Sequence, residues 1–505
     1  MIRIKSAFAS GIHAFPVDIE VDVSNGLPQL ILVGLPDTSI KEARERVRTA
    51  LKNSGFHIPP DKITISLAPA DVKKEGAAFD FPIALGILAC HGIISPEKLA
   101  GHIFLGELAL DGTLRPLKGI LAITTGLKES SFVLPAENGE EAALTKDITV
   151  YPVKSLQETV AFLMGNQRIE PLRNLPYKHK APSQYLPDFS EVRGQQAAKR
   201  ALEIAVAGDH KILFIGPPGS GKTMLAKRIP GILPPMNSEE VLEITKIHSV
   251  AGLIPHGSGL IETRPFRAPH YTASAVALAG GGSSPRPGEM SLSHGGVLFL
   301  DELPEFRRDA LETLRGPLED GCITISRAKN QVTFPAHFLL VAAMNPCPCG
   351  YLGDTRKSCR CSLATIHKYR SRISGPILDR IDIQIEVPAL SFQTLTGQEP
   401  AESSADIRSR VGACRKIQRS RYRQKPYRTN CQMSPRDMKA FATPDAAGRK
   451  LIEMAMKELR LSARAYYKIL KISRTIADLA ACDQIQSDHI AEAIQYRSLD
   501  RQWWS

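Results

Sequence analysis

Eight consecutive residues, Gly216-Pro217-Pro218-Gly219-Ser220-Gly221-Lys222-Thr223, carry the clearest chemistry in the chain. They follow the apolar run KILFI and precede a stretch of helical pattern, the setting in which a glycine-rich turn wraps phosphate oxygens in backbone N–H groups. Glycines let the backbone close on the anion, and the following helix adds the positive end of its dipole. Lys222 then reaches the terminal phosphates and Thr223 supplies a magnesium ligand. Downstream, the apolar run of GGVLFLDELPEF ends in Asp301-Glu302, the pair that phosphoryl transfer requires: Asp301 on magnesium, Glu302 on the attacking water. A third run, FLLVAAMN, brings Asn345 to the same sheet edge, in position to orient that water. ATP and Mg2+ are the expected cofactors.

Of nine cysteines, four form a C-x-C, nine residues, C-x-C cluster: Cys347, Cys349, Cys359 and Cys361. Four thiolates satisfy tetrahedral zinc, although the spacing is tighter than the familiar C-x-x-C knuckle, and unligated thiols in a reduced loop are the alternative. A catalytic metal is not expected there, because four sulfur ligands leave no open position.

Elements must position these groups, and 505 residues are too many for one hydrophobic core. Hydrophobic residues at 43% and charged residues at 23% describe a globular protein. No stretch approaches the length of a membrane span and the amino terminus lacks a secretory signal, so a cytoplasmic location is expected. The net charge of +12 favours a polyanionic partner without specifying one.

Residues 1–165 read as a mixed α/β unit. Val17, Ile19, Val21 and Val23 alternate with acids as in a half-buried strand, Ser24-Asn25-Gly26 turns the chain, and QLILVGL from Gln29 reads as the partner strand. A helix is expected from Lys41 to about Gly55 and another in FDFPIALGILA. Residues 166–188 carry four prolines without periodicity and read as a linker. From 189 to 395, strand-like and helical stretches alternate as in a parallel sheet covered by helices. The remainder, 396–505, reads as helical, with Ser434 and Thr443 before prolines and Ser487 as expected N-caps.

With these motifs in place, the chain resembles the magnesium-chelatase-like AAA+ ATPases, specifically the YifB/ComM family of competence-associated helicases. The resemblance spans nearly the whole chain and rests on DFSEVRGQ, GPPGSGKT, RPFRAPH, PRPGEMSLSHGGVLFLDELPEF, AAMNPCPCGYLGD and SRISGPILDRID. It implies a Lon-protease-like (ribosomal S5 domain 2-like) first domain, a central P-loop ATPase core and a carboxy-terminal helical lid. It further implies that Arg380 is an arginine finger and Arg464 a second sensor on the lid. Where Lon-type proteases carry their serine and lysine, this chain has Ala78, flanked by Ala77, and Leu121, so no activated nucleophile remains.

ITISRAKNQVTF reads as a hairpin with a basic tip, and the resemblance points Arg327 and Lys329 into a ring, toward DNA; a solvated turn is the alternative. Nine basic residues and no acids occupy 408–428, with Arg408, Arg415, Arg419 and Arg423 on one helical face and Tyr422 and Tyr427 interleaved. Spacing alone does not choose between a phosphate-binding face and a solvated one. The leading expectation is a hexameric, ATP-driven DNA motor that migrates branched recombination intermediates. A motor subunit remodelling a partner protein and a nucleotide-switched DNA-binding platform are the alternatives.

Overall fold

Burial of alternate residues organises the first sheet: Val17, Ile19 and Val21 are sealed beneath a helix while Asp18, Glu20 and Asp22 face outward. The computed structural model describes residues 1–34, 38–69, 74, 78–128, 130–173, 186–254, 260–282, 285–327, 330–354, 356–390, 394, 401–425, 428–459 and 461–499, with backbone alone for 38–41, 327 and 330. The sheet comprises β1 (Ile2–Ser10), β2 (His13–Ser24), β3 (Gln29–Val33), β4 (Lys62–Ala68), β5 (His102–Phe104), β6 (Ser131–Pro135) and β7 (Thr149–Val153). Its order is β3-β4-β2-β1-β5-β6-β7. Helix α1 (Thr38–Asn53) follows β3, and α2 (Asp80–Cys90), buried along almost its whole length, lies on β1 and β2. Gly86 permits that approach, since a Cβ there would lie 2.5 Å from Val21.

One expected pairing is corrected. The run from Gln29 is not the partner of β2: β4 lies between them, antiparallel to β2 and parallel to β3. Ile63, Ile65 and Leu67 of β4 are buried whereas β3 is only half-covered, so the more apolar strand takes the inner place.

The central unit carries a second, wholly parallel sheet of β8 (Ile212–Ile215), β9 (Phe266–Arg267), β10 (Val297–Leu300), β13 (Leu339–Met344) and β14 (Ile383–Glu386), in the order β9-β10-β13-β8-β14. Between β10 and β13 the chain makes the antiparallel hairpin β11 (Cys322–Arg327) and β12 (Asn330–Pro335). Fully buried residues of β8, β10 and β13 fill both faces of the sheet, as expected of parallel strands.

The described ends of the segment expected as a linker, 166–173 and 186–188, each pack onto neighbouring structure. Leu172 bridges to Val150 of the first sheet, and Asp188 caps the turn at Phe189–Glu191 and accepts from the Ser404 amide. The first unit also meets the second directly. The Gly119 amide donates to the Ser249 carbonyl (3.1 Å), and Gly11 in the β1–β2 turn abuts Val332 of the hairpin.

Helices close the chain at Ser404–Arg421, Pro435–Phe441, Ala446–Glu458, Ala463–Leu479 and Ser487–Gln495. Their apolar faces share one core with β8 and the helices before and after it, Gln196–Gly208 and Lys222–Ile232, in a cluster that holds Ile407, Val411, Ile469 and Ile476 together with Ala205, Ile212 and Ile229. Ser434 caps as expected. Thr443 and Ser487 do not: Pro444 pairs with Ile485, which leaves Asp445 to cap the next helix, and Gln486 with His489 forms a capping box at the last.

Candidate nucleotide site

The phosphate loop is the six-residue step from the end of β8 into α3 (Lys222–Ile232), and two glycines make the step possible. Gly219 and Gly221 have φ of +75° and +93°, conformations that a side chain disfavours. Gly216 serves differently, since a Cβ there would lie 2.2 Å from the Val387 carbonyl at the end of β14. Gln195, itself left-handed at φ 55°, donates to the carbonyls of Ser220 (3.1 Å) and Pro388 (2.7 Å) and ties the loop to that strand. Gln195 ends the motif DFSEVRGQ, and no local pattern marks this task, because both carbonyls it ties lie elsewhere in the chain.

Lys222 is 8% exposed and donates to the carbonyls of Gly216 (2.6 Å) and Pro217 (2.9 Å) and to Asn345 Oδ1 (3.2 Å). Burial pulls its pKa down to about 8, against the attraction of Asp301 and Glu302. The Thr223 hydroxyl donates to Asp301 Oδ2 at 2.7 Å, so the two expected magnesium ligands, one from α3 and one from β10, already converge. A hydroxyl and a carboxylate are the hard oxygen donors that Mg2+ takes, which fits that ion. Glu302 sits in the left-handed region at φ 53°, and its amide donates to Asp301 Oδ1 (3.0 Å). A non-glycine residue held there stores strain of the kind found at functional sites. Asn345 directly follows β13, which lies between β8 and β10, so all these groups gather at one sheet edge.

Arg380 and Arg464 lie elsewhere. Arg380 stands three residues before Ile383, which pairs with Ile212 at the start of β8. It is therefore at the opposite edge of the sheet from the loop that begins at Gly216. Four strand residues at about 3.3 Å each separate the two edges by on the order of 13 Å. Arg380 donates to the Pro376 carbonyl (2.7 Å) and pairs with Glu319, which is distant in the chain, instead of its sequence neighbours Asp379 and Asp382. Arg464, at the start of Ala463–Leu479, pairs with Asp379 at 2.8 Å.

Cys347, Cys349, Cys359 and Cys361 come together, their sulfurs all within 4.8 Å. The separations of 3.4 Å (347–349), 3.6 Å (347–359) and 3.7 Å (349–359) lie close to the ~3.8 Å edge of a tetrahedron with 2.3 Å zinc–sulfur bonds. The chemistry and the spacing of these donors fit zinc.

Of the expected DNA contacts, the β11–β12 hairpin is present, with Arg327 paired to Asn330 across the strands, but the Arg327 side chain and Lys329 lie outside the described residues. The basic face expected over 408–428 is broken. Arg415 turns inward to the Val206 carbonyl (2.8 Å) and Arg421 pairs with Asp478 (2.6 Å). Tyr422 is fully buried on Asn430, while Tyr427 lies outside the described residues. Three apolar positions of Ser404–Arg421 face the ATPase core, and that packing draws the interleaved groups with them.

In the first unit, Leu121 is fully buried, and its amide donates to Glu141 (3.3 Å), while the Ala78 carbonyl accepts from Gly106 (3.1 Å). Ala77 lies outside the described residues. Among the described residues no helix is long and apolar enough to cross a membrane.

Comparisons with known proteins agree with this architecture. Residues 188–395 match the family described as magnesium chelatase, subunit ChlI; residues 19–138 match subunit ChlI of Mg-chelatase; and residues 401–497 match the ChlI carboxy-terminal family. The chain is 45% identical over 507 residues to competence protein ComM of Haemophilus influenzae, covering 99% of this chain and 97% of that one. It is 42% identical over 500 residues to the uncharacterized protein YifB of Escherichia coli, covering 98% and 96%. Similarity to the magnesium-chelatase subunit ChlI of Euglena gracilis is lower, 22% over 182 residues, or 31% of this chain and 52% of that one. A phosphate loop, an acidic strand end and a polar-tipped third strand on one parallel sheet, within a chain matched from end to end, place this protein in the YifB/ComM family of magnesium-chelatase-like AAA+ proteins.

Proposed function

We propose that the chain hydrolyses ATP in a homo-oligomeric ring, a hexamer, and uses the cycle to translocate on DNA and migrate branched recombination intermediates, as in the integration of transforming DNA. The observation that carries the ring is the position of Arg380. It sits at the far edge of the sheet from its own phosphate loop, which supports a role at a nucleotide across a subunit boundary.

Within each site, Gly216 to Thr223 hold the phosphates and Lys222 leaves the loop carbonyls for the terminal phosphate oxygens. Thr223 and Asp301 hold Mg2+, which neutralises developing phosphate charge when bound. Glu302 accepts the proton of the attacking water and Asn345 orients it. Arg380 and Arg464 approach from the neighbouring subunit. Residues 1–165 serve as a Lon-like binding or assembly domain, 189–395 as the motor and 396–505 as a helical lid. The four clustered cysteines hold a structural zinc ion.

The name of the Haemophilus relative, a competence protein, supports DNA as the track, as does the net charge of +12. Turnover measured with and without single-stranded DNA, alongside migration of a synthetic three-stranded branch, tests the reading. Stimulated hydrolysis with branch movement is expected. Hydrolysis indifferent to DNA would instead favour a motor that remodels a protein partner.

A further inference from the structure

The cysteine cluster and the phosphate loop touch. Gly350, next to Cys349, has a φ of +83°, and a Cβ on it would lie 2.5 Å from Pro218 Cδ, 2.7 Å from Pro218 Cγ and 3.8 Å from Asn345 Cγ. Pro218 is the third residue of the phosphate loop, and Asn345, two residues before Cys347, accepts from Lys222. The Gly350 amide donates to the Cys347 carbonyl at 2.9 Å, so the turn Cys347–Gly350, which carries the first two cysteines, presses its backbone onto the loop. On the other side, Arg370 at the end of the helix Leu363–Arg370 donates to the Pro346 carbonyl (3.2 Å), and that helix begins immediately after Cys361.

We propose that the cysteine knuckle is a built part of the nucleotide site: zinc on its four thiolates holds Gly350 against Pro218 and sets Asn345, so that zinc and nucleotide each strengthen the binding of the other. Gly350 is thus a positioning residue for the phosphate loop. The inference rests on the zinc and ATP readings above. The physical reason is short. Pro218 has a rigid ring and little freedom, and a proline resting on a glycine backbone transmits displacement instead of absorbing it. Without the ion, four thiols have no common centre, and the turn that bears Gly350 loses the constraint that positions it. Coupling of this kind is reciprocal, so a factor gained by nucleotide from zinc is the factor gained by zinc from nucleotide.

The test uses the full chain purified without chelator, with Glu302→Gln to suppress turnover. Zinc is counted by elemental analysis and its loss to a chromophoric chelator is timed with and without saturating ATP. Nucleotide affinity is read with a fluorescent ATP. One zinc per chain is expected, with loss slowed about tenfold by ATP. Gly350→Ala, which keeps every cysteine, should retain zinc and bind nucleotide about tenfold more weakly. Adding Pro218→Ala, which removes the ring that the new methyl meets, should recover part of that loss. Zinc present but released at the same rate with and without ATP, together with parental affinity in Gly350→Ala, overturns the coupling alone. Metal-free protein that still binds ATP overturns the coupling and the zinc reading together, and leaves the nucleotide reading standing.

Discussion

Arg464 donates a 2.8 Å hydrogen bond to Asp379, the residue directly before Arg380, which ties it to the segment that carries Arg380 at the sheet edge remote from Lys222. An exposed ion pair of this kind contributes about 0.2–1 kcal/mol, little enough for a triphosphate to displace. On the proposed reading, Arg464 exchanges Asp379 for a nucleotide held by a neighbouring subunit, and Arg380, which is mostly buried, must first leave Glu319.

Mixing subunits tests that arrangement. Arg380→Ala and Lys222→Ala rings are each expected to be inactive, whereas mixed rings should recover hydrolysis at interfaces that pair an intact arginine with an intact phosphate loop. Arg464→Ala should behave as Arg380→Ala does in the same mixing assay. Mixed rings that co-assemble and stay inactive would remove the finger in trans.

The two central substitutions should fail differently. Lys222→Ala is expected to lose tight nucleotide binding, because its ammonium meets the phosphates. Glu302→Gln should bind ATP normally and turn over roughly 100-fold or more slowly, because an amide cannot accept the proton of the attacking water. Equilibrium binding beside steady-state turnover separates them, and near-parental turnover in Glu302→Gln would refute its role.

Nucleotide affinity should depend on pH through Lys222. Burial lowers its pKa to about 8 from the ordinary ~10.4, and bound phosphates favour the charged form, raising it again. Below pH 8 the ammonium is already present and affinity is flat. Above it the free protein loses the proton and binding must take one up, so affinity falls toward tenfold per pH unit. Calorimetry in buffers of different ionisation enthalpy at about pH 9 should report that proton uptake, which should fade when the same titration is run near pH 7, where the free ammonium is already protonated.

Substituting Arg327 and Lys329 together by alanine should weaken DNA binding about equally on unrelated sequences, since phosphate contacts carry no sequence information. Two lost contacts make the salt dependence on single strands shallower by roughly 1.4 in log–log slope. Basal hydrolysis should survive while DNA stimulation and branch migration disappear. An unchanged slope with branch migration intact would return the hairpin to a solvated turn.

The phosphate loop, Asp301-Glu302, Asn345 and the cysteine cluster were legible because each is a local pattern. Glycines at fixed offsets, acids at the end of an apolar run and paired thiols specify their chemistry within a few residues. Legibility failed where a residue's partner is distant. Thr443 gave way to Asp445 because Ile485, 41 residues on, pairs with Pro444. Arg415 and Tyr422 left the basic face because a neighbouring core drew them in.

The sequence by itself determined the phosphate-loop pattern and its setting between strand and helix, the parallel character of the second sheet and the cysteine set, since backbone conformation and hydrophobic period are short-range properties of the chain. Only the tertiary structure decided that β4 separates β2 from β3, that Arg380 and Arg464 share the edge opposite their own phosphate loop, and that Gly350 rests on Pro218. Each of these depends on which strands pair and which surfaces bury, a competition among segments far apart in the chain, and no local pattern encodes its outcome.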